Sequence, residues 1–137
     1  MTDKLTDADY AALAEFRFAL RKFLSFSERE AARHGLTPQQ HQALLVIRAA
    51  CDRATVGHIA ERLILRPHSA TGLIDRLVAL DMVQRKPSPG DKRQALLVLT
   101  RSADDLLDQL SIVHRDEIRR IVPLLNSLLN GLTAAVD

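Results

Sequence analysis

The residues of this chain that could do chemistry are mostly cationic, and they are not spread evenly. Arg62, Arg66, Arg76, Arg85, Lys86, Lys92, Arg93 and Arg101 are set against only Asp75, Asp81 and Asp91, a net charge of +5 over forty residues. The rest of the 137-residue chain carries −3, so the overall +2 hides the segregation. A basic block on a near-neutral chain is the electrostatic footprint of a polyanion binder. Aromatics make up 4% of the sequence, with no Trp and one Tyr. That is too few for the stacking platforms that hold single-stranded nucleic acid.

Other chemistries lack their residues. No GxSxG elbow, P-loop, Gly-rich turn or pair of carboxylates near a His occurs, so an enzyme is not expected. His34, His41, His58, His68 and His114 form neither an HxxxH nor an HExxH pattern, and neither a metal nor another cofactor is expected. The lone Cys51 excludes an intramolecular disulfide and a CxxC knuckle, reads as an inert core residue, and fits a reducing cytoplasm. Met1 to Lys4 is polar, and no basic segment precedes an apolar one, so no signal peptide is expected. The longest uncharged run, Ile121 to Val136, is too short and polar to span a bilayer, and a cytoplasmic location follows.

Helical periodicity dominates the elements that carry the basic block. Leu13, Phe16, Leu20, Phe23 and Leu24 mark a helix from Asp7 or Asp9 to about His34, with Gly35 at its end. Its apolar surface is wider than one stripe, which calls for a second partner. Thr37, Pro38 and Gln40 form a capping box for the next helix. Thr55 starts a short helix to Leu63, and Pro67 starts another to Leu80, a helix-turn-helix pair. Val83–Lys86 and Ala95–Leu99 bracket the turn-rich, basic Pro87–Arg93, which reads as a hairpin. After Thr100 the helical period returns, and Pro123 either kinks that helix or begins a last one. A mainly α chain with one small hairpin is the expected fold class.

Thr55-Val56-Gly57-His58-Ile59-Ala60-Glu61-Arg62-Leu63, Ser69-Ala70-Thr71-Gly72-Leu73-Ile74-Asp75-Arg76-Leu77, Val83-Gln84-Arg85, Pro89-Gly90-Asp91-Lys92-Arg93 and Leu97-Val98-Leu99-Thr100 follow one another in order. This set, spread from Thr55 to Thr100 over about a third of the chain, resembles the multiple-antibiotic-resistance regulator (MarR) family, the Asp-x-Arg of the hairpin matching its wing motif. The sequence departs from the family at two customary glycines, replaced at Asp81 or Met82 and around Ala103. The resemblance implies a winged helix-turn-helix homodimer, with residues 1–36 and 102–137 as dimerisation helices and 37–101 as the DNA-binding region. It implies a sequence-specific regulator of transcription, a repressor on a palindromic operator. The alternative is a dimeric protein-interaction module of the same fold that has lost DNA binding.

The resemblance also implies site residues. His68, Ser69, Ala70 and Thr71 open the recognition helix, where short side chains approach the major groove, and Arg76 reaches a phosphate. In the alternative reading Ser69 only caps that helix and the others pack. Arg85, Lys86, Lys92 and Arg93 make the wing basic, and Asp91 is expected to hold the Arg93 guanidinium in one orientation. Many family members bind small aromatic acids, so an aromatic or phenolic effector is implied, in a crevice around Arg17, Arg21, His41 and Leu45. These four positions match no ligand signature. The family's peroxide-sensing branch uses a Cys near the first helix held by tyrosines, whereas Cys51 lies elsewhere and the only Tyr is Tyr10.

Overall fold

The computed structural model describes residues 4–133. The chain forms α1 (Asp7–Arg33), α2 (Pro38–Ala49), α3 (Val56–Leu63), α4 (Pro67–Ala79), β1 (Val83–Ser88), β2 (Asp91–Leu99) and α5 (Arg101–Thr133). It is a mainly helical winged helix-turn-helix fold, as the sequence leads one to expect. The described residues group into two compact units, 4–29 with 112–133, and Glu30–Ser111.

Threonines start four of the five helices. Thr6 Oγ1 accepts from the Asp9 amide (3.1 Å) while Asp9 Oδ2 accepts from the Thr6 amide (2.9 Å). Thr37 and Gln40 make the expected reciprocal box. Thr55 Oγ1 accepts from the His58 amide (3.1 Å) and Thr100 Oγ1 from the Ala103 amide (3.3 Å). Each bond satisfies a backbone donor that the helix itself leaves open. Helix α4 differs: Arg66 occupies its N-cap without a side-chain cap bond, and Pro67 occupies the first turn. Ser69 lies inside the helix, so it is not the cap.

Helix ends show where the missing glycines went. Asp81 adopts a left-handed conformation (φ +59), and the Met82 amide donates back to the Leu77 carbonyl (2.9 Å). Aspartate therefore makes the turn that family members give to glycine, at a conformational cost of roughly 1–2 kcal/mol or less. Ala103 is 1% exposed and packs in the core, where its methyl is useful. Pro123 neither ends α5 nor starts another helix, since helical conformation continues from Arg101 to Thr133. Pro123 removes one backbone donor, but it and Arg119, whose carbonyl loses that donor, are both exposed, so water can serve the carbonyl.

In the unit Glu30–Ser111, Leu36, Leu44, Ile47, Ile59, Ile74, Leu77, Val83, Leu97, Leu107 and Leu110 form one core. The strands pair antiparallel from Val83↔Leu99 to Pro87↔Ala95. A single further rung joins Ala54 to β2, where the Leu97 amide donates to the Ala54 carbonyl (2.8 Å). Cys51 is exposed in the turn after α2 with φ +51, which corrects the expectation of a core thiol. Cys51 and Asp52 are both left-handed there (φ +51 and +67), and the buried positions on either side of the turn are Ile47 and Ala54. In the other unit, His114 is nearly buried, with Nε2 2.8 Å from Ser27 Oγ and edge-on contacts to Phe23 and Phe26.

Removing Leu77, a core residue, and Thr37, a cap, should separate two scales of stability. Leu77→Ala should cost about 2–5 kcal/mol through a cavity, and Thr37→Ala about 1 kcal/mol through one lost cap. Urea denaturation of both variants checks the order; equal losses would contradict this account of the core.

Candidate nucleic-acid interface

Helix α4 is divided lengthwise. Ala70, Leu73, Ile74 and Leu77 are buried, while Pro67, His68, Ser69, Thr71, Asp75 and Arg76 are exposed. Ala70 is 0% exposed, so it is removed from the expected DNA-contact set. Its place in the 3–4 spacing with Leu73, Ile74 and Leu77 turns it inward. His68, Ser69 and Thr71 remain on the open face. The Thr71 hydroxyl donates to the Pro67 carbonyl (3.0 Å), which fixes its rotor and leaves acceptor capacity on the oxygen.

Arg76 does not simply extend from the helix. A Cβ added at Gly72 would meet Arg76 Nη2 at 3.8 Å, so the guanidinium lies back over the preceding turn. At that distance a methyl group at position 72 would touch the guanidinium without displacing it. With the guanidinium folded back, positive charge is drawn toward the leading half of α4, beside Ser69 and Thr71 in sequence.

The wing is built from an irregular hairpin. One step along β1, from Pro87 to Ser88, is matched by four along β2, from Ala95 to Asp91. Lys92, Arg93 and Gln94 therefore fall outside the regular ladder, in a bulge beside the Pro89-Gly90 tip. Asp91 Oδ1 accepts from the Arg93 backbone amide (2.9 Å). The expected grip on the Arg93 guanidinium is thus replaced by a grip on its backbone. A short carboxylate two residues away reaches the amide of an Asx-type turn before it reaches the end of a long side chain. Asp91 shapes the tip rather than aiming the charge.

Arg85 has another occupation. Its Nη2 lies 2.5 Å from Asp75 Oδ1, an exposed ion pair linking β1 to α4. Such a pair is worth roughly 0–1 kcal/mol, but it spends one base of the wing on orientation. Sequence reasoning missed Asp75 because the two residues are ten apart across a corner, where no local periodicity applies. Lys86 and Arg93 are exposed, and Lys92 lies in β2. Lys86 and Arg93, exposed on the core-bearing unit, share it with the open face of α4.

Other expected sites fare differently. Arg17 and Arg21 are exposed on α1 in one unit; His41, 5% exposed, and Leu45, 48% exposed, lie on α2 in the other. Among the described residues no group of three or more His, Cys, Asp or Glu side chains could hold a metal. No described helix is long and apolar enough to cross a membrane.

The sequence model of the MarR family matches residues 34–94, the span from the end of α1 to the wing. The HTH-type transcriptional repressor NicR of Pseudomonas putida is 35% identical over 69 residues, covering 50% of this chain and 35% of that protein. The HTH-type transcriptional regulator MhqR of Bacillus subtilis is 25% identical over 108 residues, 79% of this chain and 74% of that protein. The chain thus spans about a third of NicR and three quarters of MhqR. A mutant MarR from E. coli, complexed with operator DNA, shares the fold with a TM-score of 0.67 and 23% identity, over 90% of this chain and 91% of that one. The matched span, a little under half of this chain, holds the helix-turn-helix and the wing, and over it the chain is similar to the MarR family.

Proposed function

We propose that this protein is a transcriptional regulator that binds double-stranded DNA as a homodimer and acts as a repressor at a palindromic operator. The observation that carries the reading is the open face of α4, where exposed His68, Ser69 and Thr71 accompany the folded-back Arg76. The bulged, basic wing supports it. A helix of this width fits the major groove, and short polar side chains on it reach base edges. Lys86 and Lys92 supply phosphate contacts, which position the protein without reading sequence, and Arg93 at the tip enters the minor groove beside the half-site. The similarity to NicR, a transcriptional repressor, and to a MarR structure complexed with operator DNA supports the same reading.

Dimerisation rests on apolar surface. Leu13, Phe18, Leu20, Leu24, Ile118 and Leu124 are all exposed on the unit of residues 4–29 and 112–133. A monomer in water rarely leaves so many large apolar side chains uncovered on one small unit. A second copy covers them and gives the twofold symmetry a palindrome requires. A cytoplasmic location, and release by a small aromatic or phenolic effector, belong to this reading through the family resemblance.

Duplexes selected by the protein from random DNA should contain inverted half-sites about 34 Å apart, one helical turn. Affinity should fall by ~10³ or more between 50 and 200 mM salt if about six or more phosphates are neutralised. A flat salt response would instead favour the protein-interaction alternative. Sedimentation should give twice the chain mass at micromolar concentration, and a soluble monomer would overturn the dimer.

Mutation of the wing makes a finer test. Arg93→Ala should weaken binding by roughly 1–3 kcal/mol, and more on A·T-flanked sites, where the narrow minor groove concentrates negative potential. Asp91→Ala removes a negative charge near DNA, yet should also weaken binding, because the tip loses the bond to the Arg93 amide. Isotherms at fixed salt decide; tighter binding by Asp91→Ala would refute the shaping role.

A further inference from the structure

Three helices of this chain close in the same manner, and one of them does so with an ill-suited residue. Gly35, Ile64 and Asp81 follow α1, α3 and α4 in left-handed conformation, with φ of +75, +55 and +59. In each case the next amide reaches back across the turn: Leu36 to Ala31, Leu65 to Ala60 and Met82 to Leu77, at 2.9, 2.8 and 2.9 Å. Glycine enters this conformation freely and aspartate tolerates it, whereas a β-branched side chain is the least suited of all. Twice the chain uses a residue that fits, and at position 64 it does not.

Packing does not account for the choice. The apolar contact that accompanies such a closure comes from Leu65, which is packed against the core. Ile64 is 92% exposed, more than any other large apolar residue described. Its side chain therefore costs conformational energy and repays none within the folded chain. Its location is specific: the corner of the helix-turn-helix, between exposed Arg62 and Arg66 and just ahead of exposed Pro67 and His68 on α4. Two cations beside an apolar knob match a surface that is anionic outside and apolar in patches. Duplex DNA is such a surface, with phosphates bordering deoxyribose rings and thymine methyl groups.

We propose that Ile64 is an apolar DNA-contact residue, meeting a thymine 5-methyl group or a deoxyribose ring beside the recognition helix. The inference rests on the DNA-binding reading above and adds a residue to it. Arg62 and Arg66 hold the neighbouring phosphates, and burial of the Ile64 side chain against DNA offsets the cost of its backbone conformation.

The test exploits the opposition between stability and affinity. The probe is the tightest duplex that the wild-type protein selects from random DNA. Ile64→Gly should melt at higher temperature than wild type, since the strained closure is relieved, yet bind that duplex about tenfold more weakly. Ile64→Asn, polar but suited to the left-handed conformation, should lose as much affinity, and Ile64→Val should restore most of it. The salt dependence should keep its slope in all three, because no phosphate contact is removed. Replacing the thymines of the duplex one at a time by deoxyuridine separates the two apolar sources. Loss at one position in wild type but not in Ile64→Gly assigns the methyl group, and loss at none assigns the deoxyribose. Ile64→Gly with unchanged affinity for the duplex overturns the proposal, and if it also lost repression in cells, a protein partner would be the occupant instead. If wild type binds no duplex, the functional reading itself fails, and this inference with it.

Discussion

Leu97 is fully buried, and its amide donates to the Ala54 carbonyl. Through that one residue the hairpin is held both by apolar packing and by a hydrogen bond to the segment that precedes α3. Strand alternation then determines the rest. With Leu97 turned to the core, Leu96 and Val98 lie on the opposite face, and Val83, partner of Leu99, closes the base of the ladder. The direction in which the tip projects follows from this register. A slip of one residue would bring Leu96 and Val98 inward and turn Leu97 out. The basic bulge can be irregular because its base is not.

Charge on this unit is arranged as much for geometry as for binding. Arg85 is tied to Asp75, and Arg48 to Asp104 at 3.1 Å, both across elements distant in sequence. The net charge of the block already subtracts Asp75, so the Arg85–Asp75 pair changes which bases are engaged, not the sum. Arg93 keeps its guanidinium clear of Asp91, which is occupied with the backbone. Exposed pairs of this kind contribute little to stability. One ties strand β1 to helix α4 and the other ties α2 to α5.

Much of this was legible in the sequence because it is local. Thr37 and Gln40, Gly35, and the spacing of Leu73, Ile74 and Leu77 each act within four residues of themselves. The helices and hairpin were readable from them. The same periodicity, applied to Ala70, should have turned it inward; the family pattern of a DNA-facing helix start overrode it. What stayed hidden depends on corners. The Asp75–Arg85 pair, the Ala54–Leu97 rung and the exposure of Cys51 join segments whose separation carries no period. Asp91 was misread for a different reason: its side chain had two acceptable partners on Arg93, and the nearer was in the backbone.

Pro123 leaves α5 unbroken but omits one rung of its backbone ladder. The stretch from Leu124 to Thr133 is shorter than the ~12–15 residues at which isolated helices persist in water. Its amides owe their protection to whatever covers its side chains, and Leu124 and Leu129 are exposed in the single chain. For the dimer proposed above, slow solvent exchange of those amides is therefore a local gauge of association, readable residue by residue and without any DNA. Leu125, Leu128 and Leu132 are half-buried within the chain itself, so association would be read as protection that a dilution series removes rather than as protection alone.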